Sequence, residues 1–373
     1  MDLPALEDLG DLTGKNVLVR TDFNVPIESG SITDDFRIRA AMPTLKYLVE
    51  SGANVTACSH LGRPEGVPDE RYGMDLVRER LEKLVPDVTL LENLRFNPGE
   101  TTNDQRFVTQ LVSGQDAFVN DAFGASHRAH ASIVGPPQSL PSAAGRLLSK
   151  EVEVLTGLRN SPRRPFVAVL GGSKVSDKIG VIESLLDVVD QLIIGGGMCF
   201  TFLKAMGHQI GSSLLEKDYI AFCKDLMESG APIRLPHDIT VMESGGKIGD
   251  PSSGGVVRQV GVEIQEGWMG LDIGPGTAAE FGDQIAESRT VLWNGPMGVF
   301  EDERFAAGTK HVALCMAENN AAFTVIGGGD SAAAAKKFEL VDQMNHVSTG
   351  GGATLELIEK GDLPGLTALR GSS

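Results

Sequence analysis

Hydrophobic and polar positions fall into two alternating patterns along the chain, short β-rich runs and longer stretches with helical spacing. The run Asn16–Arg20 (NVLVR) reads as a strand, and apolar positions between Ile38 and Val49 then recur three or four residues apart. The first half contains further predicted strands at Asn54–Ser59, Val88–Leu91 and Ala117–Asn120, and a predicted helix at Met74–Leu84. Strands that alternate with helices favour βαβ units and a parallel sheet.

The second half of the chain repeats this alternation. Its predicted strands are Phe166–Leu170, Gln191–Ile194, Thr290–Trp293 and Phe323–Ile326. Its predicted helices are Val175–Val189, Met198–Met206, Glu216–Ser229, Ala278–Ser288, Phe305–Glu318 and Ser331–Phe338. The predicted fold class is therefore α/β, with two Rossmann-like, doubly wound domains, each a mostly parallel β-sheet flanked by helices.

A break in the pattern near the middle of the chain predicts the domain boundary. The 373 residues are enough for two domains, and a helical stretch from Leu147 leads into the segment SPRRPF, where prolines interrupt the helical spacing. We predict an N-terminal domain over residues 1–146, a connecting helix and hinge over 147–165, a C-terminal domain over 166–353 and a C-terminal segment over 354–373.

The net charge restricts the classes of partner that the chain is expected to bind. The formal net charge is −17, which argues against general binding to nucleic acid or to anionic membranes. The cysteines form no CxxC pair, so neither a zinc site nor a disulfide framework is indicated. The acidic N-terminus and the lack of a long apolar run predict a soluble, cytoplasmic protein. An anionic substrate would need a local cluster of cations.

Such cations follow the predicted strands of the first half. Because ligands of open parallel sheets bind outside the carboxyl ends of the strands, these residues could converge on one ligand. The candidates are Arg37, His60, Arg63, Arg95 and Arg128, accompanied by Asp22 and Asn24. Guanidinium groups grip phosphate and carboxylate through paired hydrogen bonds. The implied ligand is small, hydroxylated and strongly anionic.

Glycines, instead of cations, follow the β-rich runs of the second half. They occur at Gly171-Gly172, Gly195–Gly197, Gly274-Pro275-Gly276, Gly295, Gly327–Gly329 and Gly350–Gly352. A backbone without Cβ atoms can approach phosphates or a flat base, and a following helix N-terminus offers N–H donors. Lys174 and Lys178 supply positive charge near the phosphates, and Asp330 could reach a nucleotide-bound Mg²⁺. This half is therefore predicted to bind a nucleotide.

The segregation of the two sets of residues is more informative than any single motif. One ligand per domain fits a phosphoryl-transfer enzyme whose domains close on each other to position the reactants and exclude water. A two-domain NAD-dependent dehydrogenase is an alternative, although the first strand–helix turn, RTDFNVP, contains no GxGxxG. A non-catalytic relative that retained ligand binding is another.

Nine segments spread along nearly the whole chain resemble the signatures of the phosphoglycerate kinase family. They are RTDFNVP (20–26), HLGRP (60–64), LENLRF (91–96), NDAFGASHRAH (120–130), GGSKVSDK (171–178), IGGGMCFTFLK (194–204), WNGPMGVFE (293–301), IGGGDS (326–331) and HVSTGGGA (346–353). The resemblance implies a monomeric enzyme of glycolysis and gluconeogenesis that transfers a phosphoryl group directly, in line, between ATP and 3-phosphoglycerate or between 1,3-bisphosphoglycerate and ADP. It also implies that the segment Leu363–Leu369 returns to the N-terminal domain.

The same resemblance implies roles for individual residues. The 3-phosphoglycerate site would comprise Asp22, Phe23, Asn24, Arg37, His60, Leu61, Gly62, Arg63, Arg95 and Arg128. The nucleotide site would comprise Gly171, Lys178, Gly196, Gly197, Asn294, Glu301, Gly328, Gly329, Asp330 and Ser331, with Mg²⁺ held between the nucleotide and Asp330. Catalysis would involve Arg37, Lys174, Lys178, Gly329 and Gly352.

Overall fold

The chain folds into two compact units in a computed structural model that describes residues 2–371. The first unit contains the residues up to Thr156 together with those from Lys360 onward, and the second contains Gly157–Glu359. Both units are α/β structures, as predicted. Within the described part of the chain, no helix is long and apolar enough to cross a membrane.

The first unit is built on a five-stranded sheet whose strands are all parallel. Its strands and those of a small antiparallel hairpin are β1 (Asn16–Thr21), β2 (Ile27–Glu28), β3 (Ser31–Ile32), β4 (Asn54–Cys58), β5 (Val88–Leu90), β6 (Ala117–Asp121) and β7 (Ser142–Ala144). The order in the sheet is β5-β4-β1-β6-β7, and β2 pairs with β3 in the hairpin. The chain leaves β1 toward β4 and later returns to β6 on the other side. The carboxyl ends of β1 and β6 therefore flank a topological switch point.

Between residues 2 and 160 the chain forms seven helices, the last of which continues into the second unit. They are α1 (Phe36–Ala40), α2 (Met42–Glu50), α3 (Asp75–Glu82), α4 (Gly99–Thr102), α5 (Gln105–Val112), α6 (Ala131–Val134) and α7 (Arg146–Asn160), with 3₁₀ turns at Leu6–Leu9, Glu70–Tyr72, Leu94–Phe96, Phe123–Ala125 and Pro136–Gln138. The continuous helix expected between Ile38 and Val49 is instead two helices that meet at Ala41. Pro43 accounts for the break, because it has no N–H to donate to the carbonyl of Arg39.

The second unit contains a six-stranded parallel sheet and a three-stranded antiparallel sheet. The strands are β8 (Phe166–Leu170), β9 (Gln191–Ile194), β10 (Ile233–Arg234), β11 (Asp238–Glu243), β12 (Val257–Gly261), β13 (Trp268–Ile273), β14 (Thr290–Asn294), β15 (Phe323–Ile326) and β16 (His346–Val347). The parallel order is β10-β9-β8-β14-β15-β16, so the switch point lies between β8 and β14. The antiparallel sheet has the order β12-β11-β13.

Seven helices follow in the second unit within the described residues. They are α8 (Ile179–Leu186), α9 (Cys199–Ala205), α10 (Ile220–Glu228), α11 (Pro275–Glu287), α12 (Ala307–Glu318), α13 (Gly329–Lys337) and α14 (Gly351–Lys360), with 3₁₀ turns at Ser176–Lys178, Lys217–Tyr219, Pro251–Ser253, Glu303–Phe305 and Val341–Gln343. The helix expected over Val175–Val189 is α-helical only from Ile179 to Leu186. Before it, the carboxylate of Glu216 accepts from the N–H groups of Val175 (2.5 Å) and Ser176 (3.1 Å) and fixes a tighter 3₁₀ turn.

Each unit has its own hydrophobic core. In the first unit, Val17 and Val19 of β1 pack with Val55 of β4 and with Ile38 and Leu45 of the helices. In the second, the core includes Val167, Val169, Phe281, Val291 and Trp293. Burial on both faces explains why these parallel strands are continuous apolar runs and could be predicted from the sequence.

The last helix, α15 (Pro364–Arg370), belongs to the first unit. Its Leu366 and Leu369 are fully buried, and the N–H of Gly365 donates to the carbonyl of Ser126 over 2.9 Å. A Cβ on Gly365 would lie 2.9 Å from Ile133 and from Ser126, so the close approach of this helix depends on glycine.

Candidate active site

Three of the predicted anion-site residues form a connected group after β1. Arg37 Nη1 donates to both carboxylate oxygens of Asp22 at 3.3 Å and to the carbonyl of Asn24 at 3.1 Å. The side-chain oxygen of Asn24 accepts from the N–H of Gly62 at 2.9 Å, which ties this turn to the loop after β4. Burial by itself raises the pKa of Asp22, but the nearby Arg37 and Arg20 bring it below the usual value. Asp22 therefore holds the half-buried guanidinium of Arg37 in position.

The buried side chain of Asn93 is hydrogen-bonded to the loop after β4. Its amide nitrogen donates to the carbonyls of Leu61 (2.7 Å) and Tyr72 (2.9 Å), and its oxygen accepts from the N–H groups of Leu61 (3.2 Å) and Arg95 (3.0 Å). Arg95 Nη1 in turn donates to the carbonyl of Gly62 at 2.7 Å. These hydrogen bonds use the full capacity of the Asn93 side chain and join the loop after β4 to the one after β5.

The Arg95 side chain has a buried donor without a partner among the residues that the structure describes, and it lies near further cations. Its Nε atom is buried and has no hydrogen-bond partner among residues 2–371. Burial lowers the pKa of Arg95 to about 10, repulsion from Arg20 and Arg128 acts in the same direction, and Glu100 and Asp22 partly oppose it. Burial and these cations also lower the pKa of the neighbouring His130 to about 4, so this histidine is neutral at pH 7. An anion in contact with Arg95 would relieve both the repulsion and the unsatisfied donor.

The remaining predicted residues of the first unit divide into buried and exposed ones. Phe23 and Leu61 are buried, and the N–H of Phe23 donates to Ser59 Oγ at 2.8 Å, so their side chains serve packing while their backbone shapes the loops. His60 is also buried, and its Nδ1 lies 3.2 Å from Nη2 of Arg20. Arg63 and Arg128 are exposed, and no side-chain hydrogen bond or ion pair to either is found in the described part of the chain.

In the second unit, Lys178 and Asn294 connect the segments that follow β8 and β14. Lys178 Nζ donates to the carbonyl of Asn294 at 2.9 Å and also to its side-chain oxygen. The amide nitrogen of Asn294 donates to the carbonyl of Gly327 at 2.7 Å, and the N–H of Gly295 donates to Ser331 Oγ at 2.5 Å. Burial lowers the pKa of Lys178 to about 8, against the opposing effect of Asp330 and Asp177.

Several glycines of this unit are required by close backbone contacts. A Cβ on Gly171 would lie 2.0 Å from the carbonyl oxygen of Pro296, and one on Gly328 would lie 2.9 Å from Asn294 Nδ2. Gly196 has a φ of +63°, which favours glycine. Gly329, at the start of α13, differs because a Cβ there would meet no atom within 4 Å. Its backbone therefore faces open space at a helix N-terminus, where an anion can bind.

A cavity of about 300 Å³ lies beside this glycine framework. The residues that line it include Gly172, Ser173, Gly196, Gly197, Phe200, Leu214, Met269, Pro296, Glu301 and Asp330. Apolar side chains form much of its wall, and its carboxylates are those of Asp272, Glu301 and Asp330. A flat, mostly apolar group with a polar extension would fit such a cavity.

Lys174 and Gly352 are less closely joined to this framework. Lys174 is exposed and lies near Glu216. Burial raises the pKa of the Glu216 carboxyl group, but the hydrogen bonds from Ser176 and Val175 and the charge of Lys174 together lower it below its usual value. Gly352 is exposed in the first turn of α14, next to Gly351, whose added Cβ would lie 3.3 Å from the nitrogen of Gly329. The Gly350–Gly352 segment therefore lies beside the Gly327–Gly329 turn.

The side chains of residues 2–371 do not by themselves form a complete coordination site for a metal ion. Among residues 2–371 there is no cluster of three His, Cys, Asp or Glu side chains that could hold one. Asp330 is an exposed carboxylate at the start of α13 and lines the cavity. A single carboxylate fits an ion that takes its other oxygen ligands from phosphates and water, as Mg²⁺ commonly does.

Three residues that shape the site were not predicted from the sequence. Arg20 is the penultimate residue of β1 and is fully buried, which its apolar neighbours in NVLVR could have suggested. Asn93 and Glu216 act through hydrogen bonds to main-chain groups. Such hydrogen bonds leave no pattern in the sequence, because a residue of any type can supply the main-chain partner.

Comparison with known proteins gives consistent results over the whole chain. The sequence pattern of the family described as phosphoglycerate kinase matches residues 6–89 and 85–361. A phosphoglycerate kinase from Rubrobacter xylanophilus is 52% identical, with 99% of this chain and 98% of the relative covered. One from Trichodesmium erythraeum is 49% identical, with 96% of each covered. The solved structure of phosphoglycerate kinase from Coxiella burnetii superposes with a TM-score of 0.88 at 38% identity, covering 99% of both chains. That from Pyrococcus horikoshii gives 0.85 at 32% identity, again covering 99% of both chains.

Proposed function

The chain belongs to the phosphoglycerate kinase family, and on that premise we propose that its first unit binds 3-phosphoglycerate and its second unit binds the nucleotide. The enzyme transfers a phosphoryl group between ATP and the carboxylate of 3-phosphoglycerate, reversibly, as a step of glycolysis and gluconeogenesis. Its family membership rules out the dehydrogenase alternative. The residues that hold each ligand are the subject of the proposal.

The unsatisfied Nε donor of Arg95, with Arg20 and Arg128 nearby, is the observation that carries the assignment of 3-phosphoglycerate. A half-buried guanidinium whose buried Nε lacks a partner within residues 2–371, with further cations nearby and a pKa lowered to about 10, favours an anion at this place. Arg63 and Arg128 are exposed and free to close over such a ligand. Arg37, held by Asp22, would neutralise charge on the transferring group, which is the main task of a protein in phosphoryl transfer. The attacking carboxylate is ionised at neutral pH and needs no general base.

The cavity and the glycine turns support nucleotide binding in the second unit. The base would occupy the apolar part of the cavity, and Glu301 would accept hydrogen bonds from the ribose hydroxyl groups. The N–H groups at the start of α13, near Gly328 and Gly329, would hold the phosphates, with Lys178 and Lys174 as neutralising charges. Ser331 is bonded to Gly295 and would stabilise this turn.

Magnesium would bind together with ATP or ADP. Asp330 would supply one protein carboxylate, and the phosphates and water would supply the other ligands. Bound in this way, Mg²⁺ would neutralise charge on the phosphates. Lys178, Lys174 and the α13 N-terminus act on the same phosphate charge, so the protein and the ion would share that task.

Direct transfer requires the two ligands to come within bond-forming distance, and domain closure about the predicted segment 147–165 is the expected means. The predicted division into residues 1–146, 166–353 and a returning 354–373 belongs to the same hypothesis. We expect a monomer, working in the cytoplasm where the glycolytic intermediates are found.

Steady-state turnover tests the proposed function directly. We would measure ADP formation from ATP and 3-phosphoglycerate with and without Mg²⁺, for wild type, Lys178→Ala and the control Lys310→Ala. Lys310 is an exposed lysine of α12 in the same unit. We expect Mg²⁺-dependent turnover that falls at least about a hundredfold in Lys178→Ala and stays unchanged in the control. A folded wild type that binds both ligands without turnover would instead support the non-catalytic alternative, and equal rates in the two variants would refute the role of Lys178.

A further inference from the structure

A buried arginine, Arg20, contacts the side chain of His60 in the proposed 3-phosphoglycerate site. Arg20 is the penultimate residue of β1 and is fully inaccessible to solvent. Its Nη2 is 3.2 Å from Nδ1 of His60, its Nε donates to Ser132 Oγ at 2.7 Å, and its Nη1 donates to the carbonyl of Thr21. The guanidinium is therefore fixed on several sides, and one of its N–H groups is directed at the imidazole.

The chemistry of the guanidinium determines which atom of His60 can carry a proton. Arginine is always protonated in proteins and has only donors, so Nδ1 of His60 can only be the acceptor of this hydrogen bond. A proton on Nδ1 would point at an arginine N–H. Neutral imidazole carries a single proton, which must then be on Nε2.

Burial and the arginines around His60 also favour its neutral form. Burial lowers the pKa of His60 well below its usual value, Asp22 opposes this, and Arg20, Arg95 and Arg37 add to it. Among residues 2–371, no hydrogen bond engages Nε2 of His60. This N–H is therefore available as a donor to an anionic ligand.

A buried carboxylate offsets the charge of Arg20. Glu100 is fully buried, and its Oε1 lies 3.8 Å from Arg20 Nη2. The same carboxylate accepts from Ser132, from Oγ at 2.7 Å and from the N–H at 3.0 Å. Arg20, Ser132 and Glu100 thus form one network, which keeps the guanidinium in place without adding a net charge to the core.

We infer that Arg20 is a positioning residue that holds His60 in the neutral form with its proton on Nε2, so that His60 presents a permanent N–H donor to 3-phosphoglycerate. Arg20 acts through His60 and does not touch the ligand. His60 then contributes a hydrogen bond whose strength does not vary with pH across the neutral range. The inference rests on the proposed ligand site only for the identity of the anion.

Nitrogen NMR of the full chain tests the position of the proton. Long-range ¹H–¹⁵N correlation spectra of histidine-labelled protein distinguish protonated from unprotonated ring nitrogens, and the spectrum of His60→Gln identifies His60 among the seven histidines. We expect an unprotonated Nδ1 and a protonated Nε2 that do not change between pH 8 and about pH 5.5. A proton on Nδ1, or a titration midpoint near the usual value of about 6.5, would overturn the inference.

His208 provides an internal control in the same spectra. Its Nδ1 lies 2.6 Å from Oε1 of Glu263, and a carboxylate can only accept, so there Nδ1 must carry a proton. The two histidines are thus expected to show opposite protonation at Nδ1. The same pattern at both would mean that the spectra do not support the proposed hydrogen bond of His60.

The double variant Arg20→Met/Glu100→Gln tests whether Arg20 is the cause of the single protonation form of His60. It removes both charges together, so that neither is left buried without its partner. We expect His60 to titrate in this variant and the KM for 3-phosphoglycerate to rise about tenfold, with kcat changed less than about threefold. An unaltered single tautomer would refute the role of Arg20. If the variant does not fold, the wild-type spectra still decide.

Adding 3-phosphoglycerate separates this inference from the proposed function. The Nε2–H resonance of His60 should shift on titration with 3-phosphoglycerate and not with ADP alone. If Nε2 carries the proton but does not respond to 3-phosphoglycerate, the inference about Arg20 stands, and the proposed position of the ligand is wrong.

Discussion

The ammonium group of Lys178 donates to the main-chain carbonyl of Asn294 over 2.9 Å and to the side-chain oxygen of the same residue. This pair of hydrogen bonds joins the segments that follow β8 and β14, the two strands that flank the switch point of the second sheet. The amide of Asn294 extends the link to Gly327. Lys178 is therefore positioned before any nucleotide binds, and its position depends on Asn294.

Replacing Asn294 with alanine should displace the ammonium group of Lys178 from its position in the wild type. The variant loses both side-chain bonds, to Lys178 and to the carbonyl of Gly327. We expect the Kd for ADP to rise about tenfold and the free energy of unfolding to fall by about 1–3 kcal/mol. Isothermal titration calorimetry and urea unfolding would measure the two effects. Asn320→Ala, at an exposed asparagine of the same unit, is the control and should change neither.

The lowered pKa of Lys178 predicts a pH dependence of nucleotide binding. Burial brings this pKa to about 8, so the unliganded lysine loses its charge as the pH rises through that value. Phosphates favour the charged form, and affinity for ADP should therefore be highest below pH 8 and fall about tenfold by about pH 9.5. Calorimetric titrations over this range would reveal the decline. Lys178→Arg should remove most of it, because arginine stays charged; an equally steep decline in that variant would exclude Lys178 as the titrating group.

Two glycines of the nucleotide site should respond differently to alanine. In Gly171→Ala the new Cβ would lie 2.0 Å from the Pro296 carbonyl, and we expect a loss of about 2–3 kcal/mol of stability. In Gly329→Ala the Cβ meets no atom within 4 Å, so stability should be unaffected or slightly raised. Binding of ADP should nevertheless weaken about tenfold, because the methyl group enters the space assigned to phosphate.

Gly245→Ala is the matched control for Gly329→Ala, since a Cβ there also has open space but lies away from the cavity lining. It should change neither stability nor binding. Normal ADP affinity in Gly329→Ala would mean that the phosphates do not lie at the start of α13.

Asn93→Asp should damage the proposed 3-phosphoglycerate site. The variant retains the acceptor but loses the two donors that bind the carbonyls of Leu61 and Tyr72. We expect a loss of about 2–4 kcal/mol in the free energy of unfolding and a rise of about tenfold in the KM for 3-phosphoglycerate, with the KM for ATP unchanged.

Asn319→Asp is the appropriate control for Asn93→Asp. Asn319 also spans several main-chain groups, donating to the carbonyl of Ile285 at 2.6 Å and accepting from Ala321 and Ala322 at 3.1 Å, but in the second unit. It should lower stability and leave both KM values unchanged. If both variants raise the KM for 3-phosphoglycerate equally, the effect reflects general destabilisation.

The parallel sheets could be predicted from the sequence because their strands are buried on both faces. Phe166–Leu170 is an uninterrupted apolar run, and the structure has a strand with the same bounds. The strand Val257–Gly261 was not predicted, since it is exposed along most of its length and has no alternating pattern.

The candidate site could be predicted where residue types alone indicate chemistry, as with the arginines after the strands and the glycine turns. The supporting residues could not be found in this way. Arg20 depends on Glu100 and His60, which are distant in sequence, and an isolated arginine after an apolar strand is usually a solvated charge.

Reciprocal ligand titrations test the central claim, the division of the two ligands between the two units. Arg95→Met and Lys178→Met would each be titrated with 3-phosphoglycerate and with ADP, beside Arg106→Met and Lys310→Met as controls at exposed positions of the same units. We predict that Arg95→Met loses affinity for 3-phosphoglycerate by at least about tenfold and binds ADP normally, and that Lys178→Met does the reverse. Normal binding of 3-phosphoglycerate by Arg95→Met, or loss of both ligands in either folded variant, would contradict the account.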